Sequence, residues 1–430
     1  MPRSDRTPAR VAYLTAEYPK ISHTFIEREV AALRDLGVDL TTFAVRRTPD
    51  DQLLTEADRR AAAETFAILP PHPGRLLGAH LRALSDHPVR YATTLARALR
   101  MSAGGGRATL WQLFYFAEAI LLWEECRRRG INHIHAHFAN VASAVAMLAA
   151  SFGARDGLTW SFTMHGPTEF DDVTRYAIPA KIRSAAFVAC ISDYCRSQLM
   201  KLVERRHWDR LVVVRCGLDF DRVLPAGQAR EYDDAGPLKV LSVGRLVPDK
   251  GQLLLLEALA ALRHRGVAVT LTLVGDGPDR AALAEAVRRL GIEDGVVLAG
   301  AVDQERLPEL YRAADVFCLP SFAEGLPVVL MEAMAFGLPV VATRIAGVSE
   351  LVDDGVSGAV VAAGRVDLLA DALARLAADP ELRAQWAQEG MRRVRARHDI
   401  RDSARLLAEL FGSPAPAAVS HEPGRVPVSA

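Results

Sequence analysis

Short apolar runs with strand character alternate with stretches of helical periodicity along almost the whole chain. RVAYLTA opens the series as a strand, the segment from Thr24 to Gly37 follows as a helix, and VDLTTFAV reads as the next strand. Thr24 and Glu27 have the Thr-x-x-Glu spacing of a capping box, and Gly37 supplies a stop. Further strands are predicted at HIHAHF, LTWSFTMH, FVACIS and LVVVRCGL. After Asp219 the periodicity lapses through the polar, Gly/Pro-bearing DRVLPAGQAREYDDAGP, which has the composition of an interdomain linker. It then restarts with VLSVG, VTLTLVG, VVLAG, VFCLP, VVAT and an apolar segment ending at Val361, each followed by helical sequence. Strands that alternate with helices build parallel sheets covered on both faces. The expected fold is therefore α/β, with two doubly wound, Rossmann-like domains facing a central cleft. Their bounds are read as 1–220 for the first domain, 221–237 for the linker and 238–395 for the second domain. A helix over 396–412 and a disordered Pro/Ser/Ala-rich tail over 413–430 complete the chain.

Composition narrows the classes of function. The chain has 430 residues, half of them hydrophobic, enough for two large cores. It balances 52 basic against 52 acidic residues, whereas a protein that tracks nucleic acid carries a basic excess, so no nucleic-acid partner is expected. Five cysteines (126, 190, 195, 216 and 318) form no Cys-x-x-Cys pair and are odd in number, which points to a reduced, cytoplasmic protein. The opening MPRSDRTPAR lacks the apolar core of a signal peptide. The longest apolar candidate, Thr109 to Trp123, is broken by Gln112 and Glu118 and is read as a packed helix.

Ligands of doubly wound sheets gather beyond the carboxyl ends of the strands, where Gly244, Gly275, Ser321 and His165 fall. The run SFAEGLPVVLMEAMAFGLPVV places Glu324 in a Gly-Pro loop and Glu332 eight residues later on the following helix. Pro327 fits a first helical turn, and the amides around Gly325, Leu326 and Val328 are unpaired helix-start donors that favour a phosphate. A carboxylate at Glu332 can accept from both vicinal hydroxyls of a ribose. Complementing the helix dipole would also account for an acid near a helix start. Arg245 and Lys250, at the end of VLSVG, can neutralise a pyrophosphate; surface ion pairing is the simpler alternative. In Gly275-Asp276-Gly277-Pro278 the dinucleotide fingerprint fails, because Arg280 stands at its third glycine.

These segments resemble the family-4 retaining glycosyltransferases, which have the GT-B fold and a Glu-x7-Glu signature matched by Glu324 and Glu332. By that resemblance, Arg245 and Lys250 hold the donor diphosphate, Gly275 and Gly277 lie beside the nucleotide, and His165 of the His-Gly turn reaches the transferred sugar. The last helix is then expected to cross back onto the first domain. In place of a glycine-rich loop after the first strand, this chain has Tyr18-Pro19-x-x-Ser22-x-Thr24-Phe25-Ile26-x-x-Glu29. Together with HAHFAN this resembles a bacterial exopolysaccharide branch that includes colanic-acid-type transferases. Ser22, His23, Thr24 and His137 are the acceptor-side candidates, although a plain helix cap would explain Thr24 equally well.

The implied activity is retaining, metal-independent transfer of a sugar from a nucleoside diphosphate sugar to a hydroxyl acceptor, a saccharide that is either free or lipid-linked. No cofactor is expected. His133, His135 and His137 share one face of a strand, and Asp219-Phe220-Asp221 has the form of a metal-binding Asp-x-Asp, but no metal is assigned to either. Other readings of the same architecture are a sugar-nucleotide epimerase and a non-catalytic nucleotide-sugar-binding scaffold. From Pro70 to Arg107 a single acid, Asp86, faces six arginines, and the apolar 111–123 stretch follows. Peripheral contact with anionic lipid at the inner face of the cytoplasmic membrane and an ordinary solvated helix surface both fit.

Overall fold

The computed structural model describes residues 9–20, 23–53, 55–102, 104–223, 236–303 and 306–412. Ser22, most of the linker reading and the 413–430 tail lie outside the described residues.

Two parallel sheets confirm the α/β reading. The first contains β1 (Arg10–Glu17), β2 (Asp39–Arg46), β3 (Phe66–Leu69), β4 (His133–His137), β5 (Thr159–Met164), β6 (Val188–Cys190) and β7 (Leu211–Val213), in the order β3-β2-β1-β4-β5-β6-β7. The second contains β8 (Leu238–Val243), β9 (Val269–Val274), β10 (Val296–Gly300), β11 (Val316–Leu319), β12 (Val340–Thr343) and β13 (Gly358–Val361), in the order β10-β9-β8-β11-β12-β13. Strands such as β4 and β11 are buried at every position, as parallel strands covered on both faces must be. Strand order reverses between β1 and β4 and again between β8 and β11, which creates a crevice at the carboxyl end of each sheet.

Three local expectations change. Strand β3 was not foreseen, because its four residues at the sheet edge are too few to show alternation. The helix Thr24–Asp35 begins at Thr24 itself, with His23 at the N-cap and no side-chain cap bond. Thr24 therefore stands one position too far in to form the expected capping box with Glu27. A capping box does form elsewhere, between Thr55 and Asp58 at the helix Glu56–Glu64. Pro327 is the N-cap of the helix Val328–Ala335 rather than part of its first turn.

The Trp111–Trp123 stretch lies within the helix Gly106–Arg129. Among the described residues, no helix is long and apolar enough to cross a membrane. The helix Ile400–Phe411 returns to the first sheet, where Leu218 N donates to His398 O at 2.8 Å and Ile400 N to Leu218 O at 3.0 Å. Its Ala404, Leu407 and Phe411 join an apolar cluster with Val11, Ile26, Val30 and Leu33.

Candidate functional site

Each half of the site grows from one of the two crevices. In the second domain, Pro320 and Ser321 follow β11, and Phe322 N donates to Asp249 O at 2.7 Å. That bond brings the loop after β8 against the loop after β11, so Lys250 Nζ reaches Glu324 Oε1 at 2.6 Å. Ser321 Oγ donates to the same carboxylate oxygen at 2.8 Å. Both Ser321 and Glu324 are buried. Arg245 is exposed at the same strand end, beside Gly244.

Glu332, on the helix Val328–Ala335, is buried and held from two directions. Tyr311 OH donates to its Oε2 at 3.2 Å, and Arg28 of the first domain donates to its Oε1 at 2.8 Å. Burial first, and then the Glu332 charge, push the Tyr311 phenol well above its ordinary range. No side chain caps the start of this helix, and Leu326 is buried beneath the loop that leads into it.

Gly275 and Gly277 serve the loop after β8 from behind. A Cβ on Gly275 would lie 1.9 Å from Gly244 O, and one on Gly277 2.3 Å from Leu246 O. Their amides are spent inside the protein, on Gly300 O and Asp276 Oδ1 respectively. They therefore shape the backbone that carries Gly244 and Arg245.

In the first domain, His137 ends β4 and His165 follows β5, with His137 Nδ1 2.9 Å from His165 Nε2. Phe25 and Phe138 flank the His165 ring, with centroid distances of 4.9 and 4.5 Å. His165 is buried, and desolvation pushes its imidazole well below the ordinary range, with His137 and His23 adding to the effect. The His23 ring lies 4.9 Å from Phe138, and burial lowers its pKa to about 4. Thr24 is half-buried at the helix start.

His133 and His135 bond to the hydroxyls of β5: His133 to Thr159 and Ser161, His135 to Ser161 and Thr163. Among the described residues, Glu29, His135 and His137 form the one group whose ligand atoms lie close enough to share a metal, within 4.8 Å of one another. Both His135 nitrogens are already engaged, so the donor set fits hydrogen bonding better than coordination. Asp221 pairs with Arg401 at 3.3 Å.

The two halves meet at Gly325, where a Cβ would come within 2.1 Å of His165 O. Only a residue without a side chain lets the Glu324–Pro327 loop approach so closely. The structure thus brings together Ser321, Glu324, Lys250, Glu332 and His165, with His137 and His23 behind the last. Sequence reasoning missed Arg28 and Tyr311. Nothing in the one-dimensional pattern marks them, because their partner is 304 and 21 residues away. Glu29 was visible as the last residue of the Tyr-Pro motif but had no role.

Residues 229–393 match the family model described as Glycosyl transferases group 1. The chain is 30% identical over 260 residues to the alpha-D-kanosaminyltransferase of Streptomyces kanamyceticus, covering 58% of this chain and 67% of that protein. It is 29% identical over 427 residues to the colanic acid biosynthesis glycosyltransferase WcaL of Escherichia coli K12, covering 94% and 99%. The sucrose-phosphate synthase of Thermosynechococcus elongatus superposes with a TM-score of 0.70 at 21% identity over 94% of this chain and 98% of that one. Anabaena HepE, solved in complex with UDP-glucose, superposes with a TM-score of 0.69 at 19% identity over 94% and 99%.

Proposed function

The chain belongs to the group 1 glycosyltransferases, and from that premise we propose that it is a retaining, metal-independent enzyme that moves a sugar from a nucleoside diphosphate sugar to a hydroxyl of a growing saccharide in cell-surface glycan assembly. The observation that carries this reading is the paired-carboxylate site at the second switch point. Glu324 is oriented by Lys250 and Ser321, Glu332 lies on the adjoining helix, and the loop between them abuts His165.

Glu332 accepts from the ribose hydroxyls, and Glu324 with the helix-start amides holds hydroxyls of the sugar. Arg245 and Lys250 bind the diphosphate. An ammonium has three donors, so Lys250 can serve Glu324 and a phosphate oxygen together. As the glycosidic bond breaks, negative charge grows on the departing phosphate. Cations already fixed there bind the transition state more strongly than the ground state, and no metal or cofactor is invoked. The departing phosphate then assists front-face attack by the acceptor hydroxyl. His165 lies on the sugar's reacting side, and His23 and Thr24 lie on the acceptor half, while His137, expected there from the sequence, is buried behind His165.

The acceptor is read as an exopolysaccharide intermediate, in keeping with the colanic acid assignment of WcaL. The helices Pro73–Asp86 and Pro88–Arg100 and the start of Gly106–Arg129 expose Leu77, Leu81, Val89, Trp111 and Phe114, and the same segments expose Arg100 and Arg107. Exposed apolar and cationic side chains of this kind suit peripheral contact with an anionic bilayer that presents a lipid-linked acceptor at its cytoplasmic side.

Calorimetric titration with UDP, GDP, ADP, dTDP and NAD, in chelator-treated buffer, tests the reading. One diphosphate should bind, and Glu332→Ala should weaken it by about ten- to hundredfold, for the loss of hydrogen bonds to a buried carboxylate. Binding of NAD alone, or of nothing, would overturn it. Conversion of the donor sugar without an acceptor would identify an epimerase, and binding without any turnover a scaffold.

A further inference from the structure

Two sequence motifs given no catalytic part meet inside the first domain. Glu29 ends the Tyr-Pro-x-x-Ser-x-Thr-Phe-Ile-x-x-Glu run on the helix Thr24–Asp35, and His137 lies in HAHFAN at the end of β4. Glu29 Oε1 accepts from Tyr13 OH and lies 3.3 Å from His137 Nε2, within ion-pair range though not in line for a full hydrogen bond. On its other side, His137 Nδ1 meets His165 Nε2 at 2.9 Å. All three side chains are buried.

We propose that Glu29 and His137 are positioning residues that fix the tautomer of His165, leaving its Nδ1 as a hydrogen-bond acceptor for a hydroxyl of the transferred sugar. The proposal rests on the reading that His165 faces that sugar.

In the proposed arrangement an ionised Glu29, which only accepts, places the proton of a singly protonated His137 on the nitrogen that faces it, Nε2. His137 Nδ1 is then a bare lone pair, and the hydrogen bond to His165 requires the proton on His165 Nε2. A neutral imidazole has one such proton, so His165 Nδ1 is left as an acceptor. It has no protein partner among the described residues, while the Phe25 and Phe138 rings pack beside the imidazole at centroid distances of 4.9 and 4.5 Å. The arrangement selects a hydroxyl, which donates, over an oxygen that only accepts. Burial supports it by disfavouring the imidazolium, in which both nitrogens would be donors. His135 does not compete, since its nitrogens face Ser161 and Thr163. Taking a carboxylate out of water is costly, and a leucine would fill a similar volume. An acceptor at this position has a use in orienting the two imidazoles that a purely apolar core would lack.

The test uses the full chain labelled with nitrogen-15 at histidine, and His165→Gln to assign the resonances. The wild type should show His165 protonated at Nε2 with Nδ1 bare; a proton on Nδ1 would overturn the proposal. The double variant Tyr13→Phe/Glu29→Leu removes the acceptor without orphaning the phenol. It should mix the His165 tautomers and lower kcat for donor hydrolysis about ten- to hundredfold, the value of one oriented hydrogen bond. Its affinity for the diphosphate selected by titration should stay within about twofold. Glu29→Gln, whose carbonyl accepts from the same nitrogen, should restore both the tautomer and kcat. Unchanged tautomer and kcat in the double variant would refute the relay, as would a failure of Glu29→Gln to restore them. If the double variant does not fold, the wild-type tautomer and Glu29→Gln still decide the matter. A wild type that binds no diphosphate would instead refute the transferase reading itself.

Discussion

Arg28, on the first helix of the first domain, donates to Glu332 of the second domain at 2.8 Å, and the two side chains are only 14% and 7% exposed. The carboxylate assigned to the ribose is therefore already engaged across the cleft. Removing one partner of a buried ion pair costs about 3–5 kcal/mol, since the other charge is left uncompensated. Arg28→Ala should lower the thermal midpoint. The loss should be smaller in protein saturated with the diphosphate found by titration, because ribose hydroxyls then donate to Glu332. Scanning fluorimetry with and without the diphosphate measures both shifts, and equal losses would separate Glu332 from the ribose.

Arg245 is exposed at the end of β8, and Lys250 is tied to Glu324. Arg245→Ala removes a charged hydrogen bond worth roughly 1.5–3 kcal/mol, or about ten- to hundredfold in kcat/KM. Lys250→Ala should cost more, because it also releases Glu324. Steady-state kinetics of the two variants compare them directly, and unchanged turnover in Arg245→Ala would reject its assigned role.

Burial lowers the pKa of His133 from 6.5 to about 3 in the folded protein. Because the folded value lies below the unfolded one, the unfolded chain takes up this proton first as pH falls. The stability tied to neutral His133 is thus fully present above about pH 6.5 and is lost progressively toward pH 3, at about 1.4 kcal/mol per pH unit. His133→Gln should flatten the fall in stability between pH 6.5 and 5 by about one proton, as read from urea denaturation at several pH values.

Phe411 packs against the His133, His135 and Phe187 rings at 5.2–5.9 Å. Phe411→Ala should destabilise the first domain by about 3–5 kcal/mol and loosen the returning helix. Calorimetric unfolding would then resolve two transitions where the wild type shows them closer together.

The exposed apolar side chains of the helices Pro73–Asp86 and Gly106–Arg129, Leu77 and Trp111 among them, should bring the protein up with phosphatidylglycerol-containing vesicles in flotation at low salt. Raised salt should weaken that association through charge screening, and Trp111→Ser/Phe114→Ser should abolish it. Recovery of the wild type only at the bottom of the gradient would remove the membrane contact.

Much of this architecture was legible in one dimension. The alternation of apolar runs and helical periodicity announced two doubly wound units, because parallel strands buried on both faces leave dense hydrophobic signatures. Strand β3 escaped, since an edge strand of four residues carries too little pattern. Thr24 misled because the spacing of a capping box says nothing about which residue leaves helical geometry, and here His23 does.

The sequence by itself determined the two-domain α/β plan and the chemistry of the local motifs: Glu324 and Glu332 around a helix start, two cations after β8, and His-Gly after β5. These depend on neighbours a few residues apart, which chain geometry nearly dictates. Only the tertiary structure decided that Arg28 holds Glu332, that Gly325 lies against His165, and that Glu29 stands behind His137. Those contacts join residues more than a hundred positions apart, and packing of one domain or sheet layer on another sets them; no local periodicity encodes that arrangement.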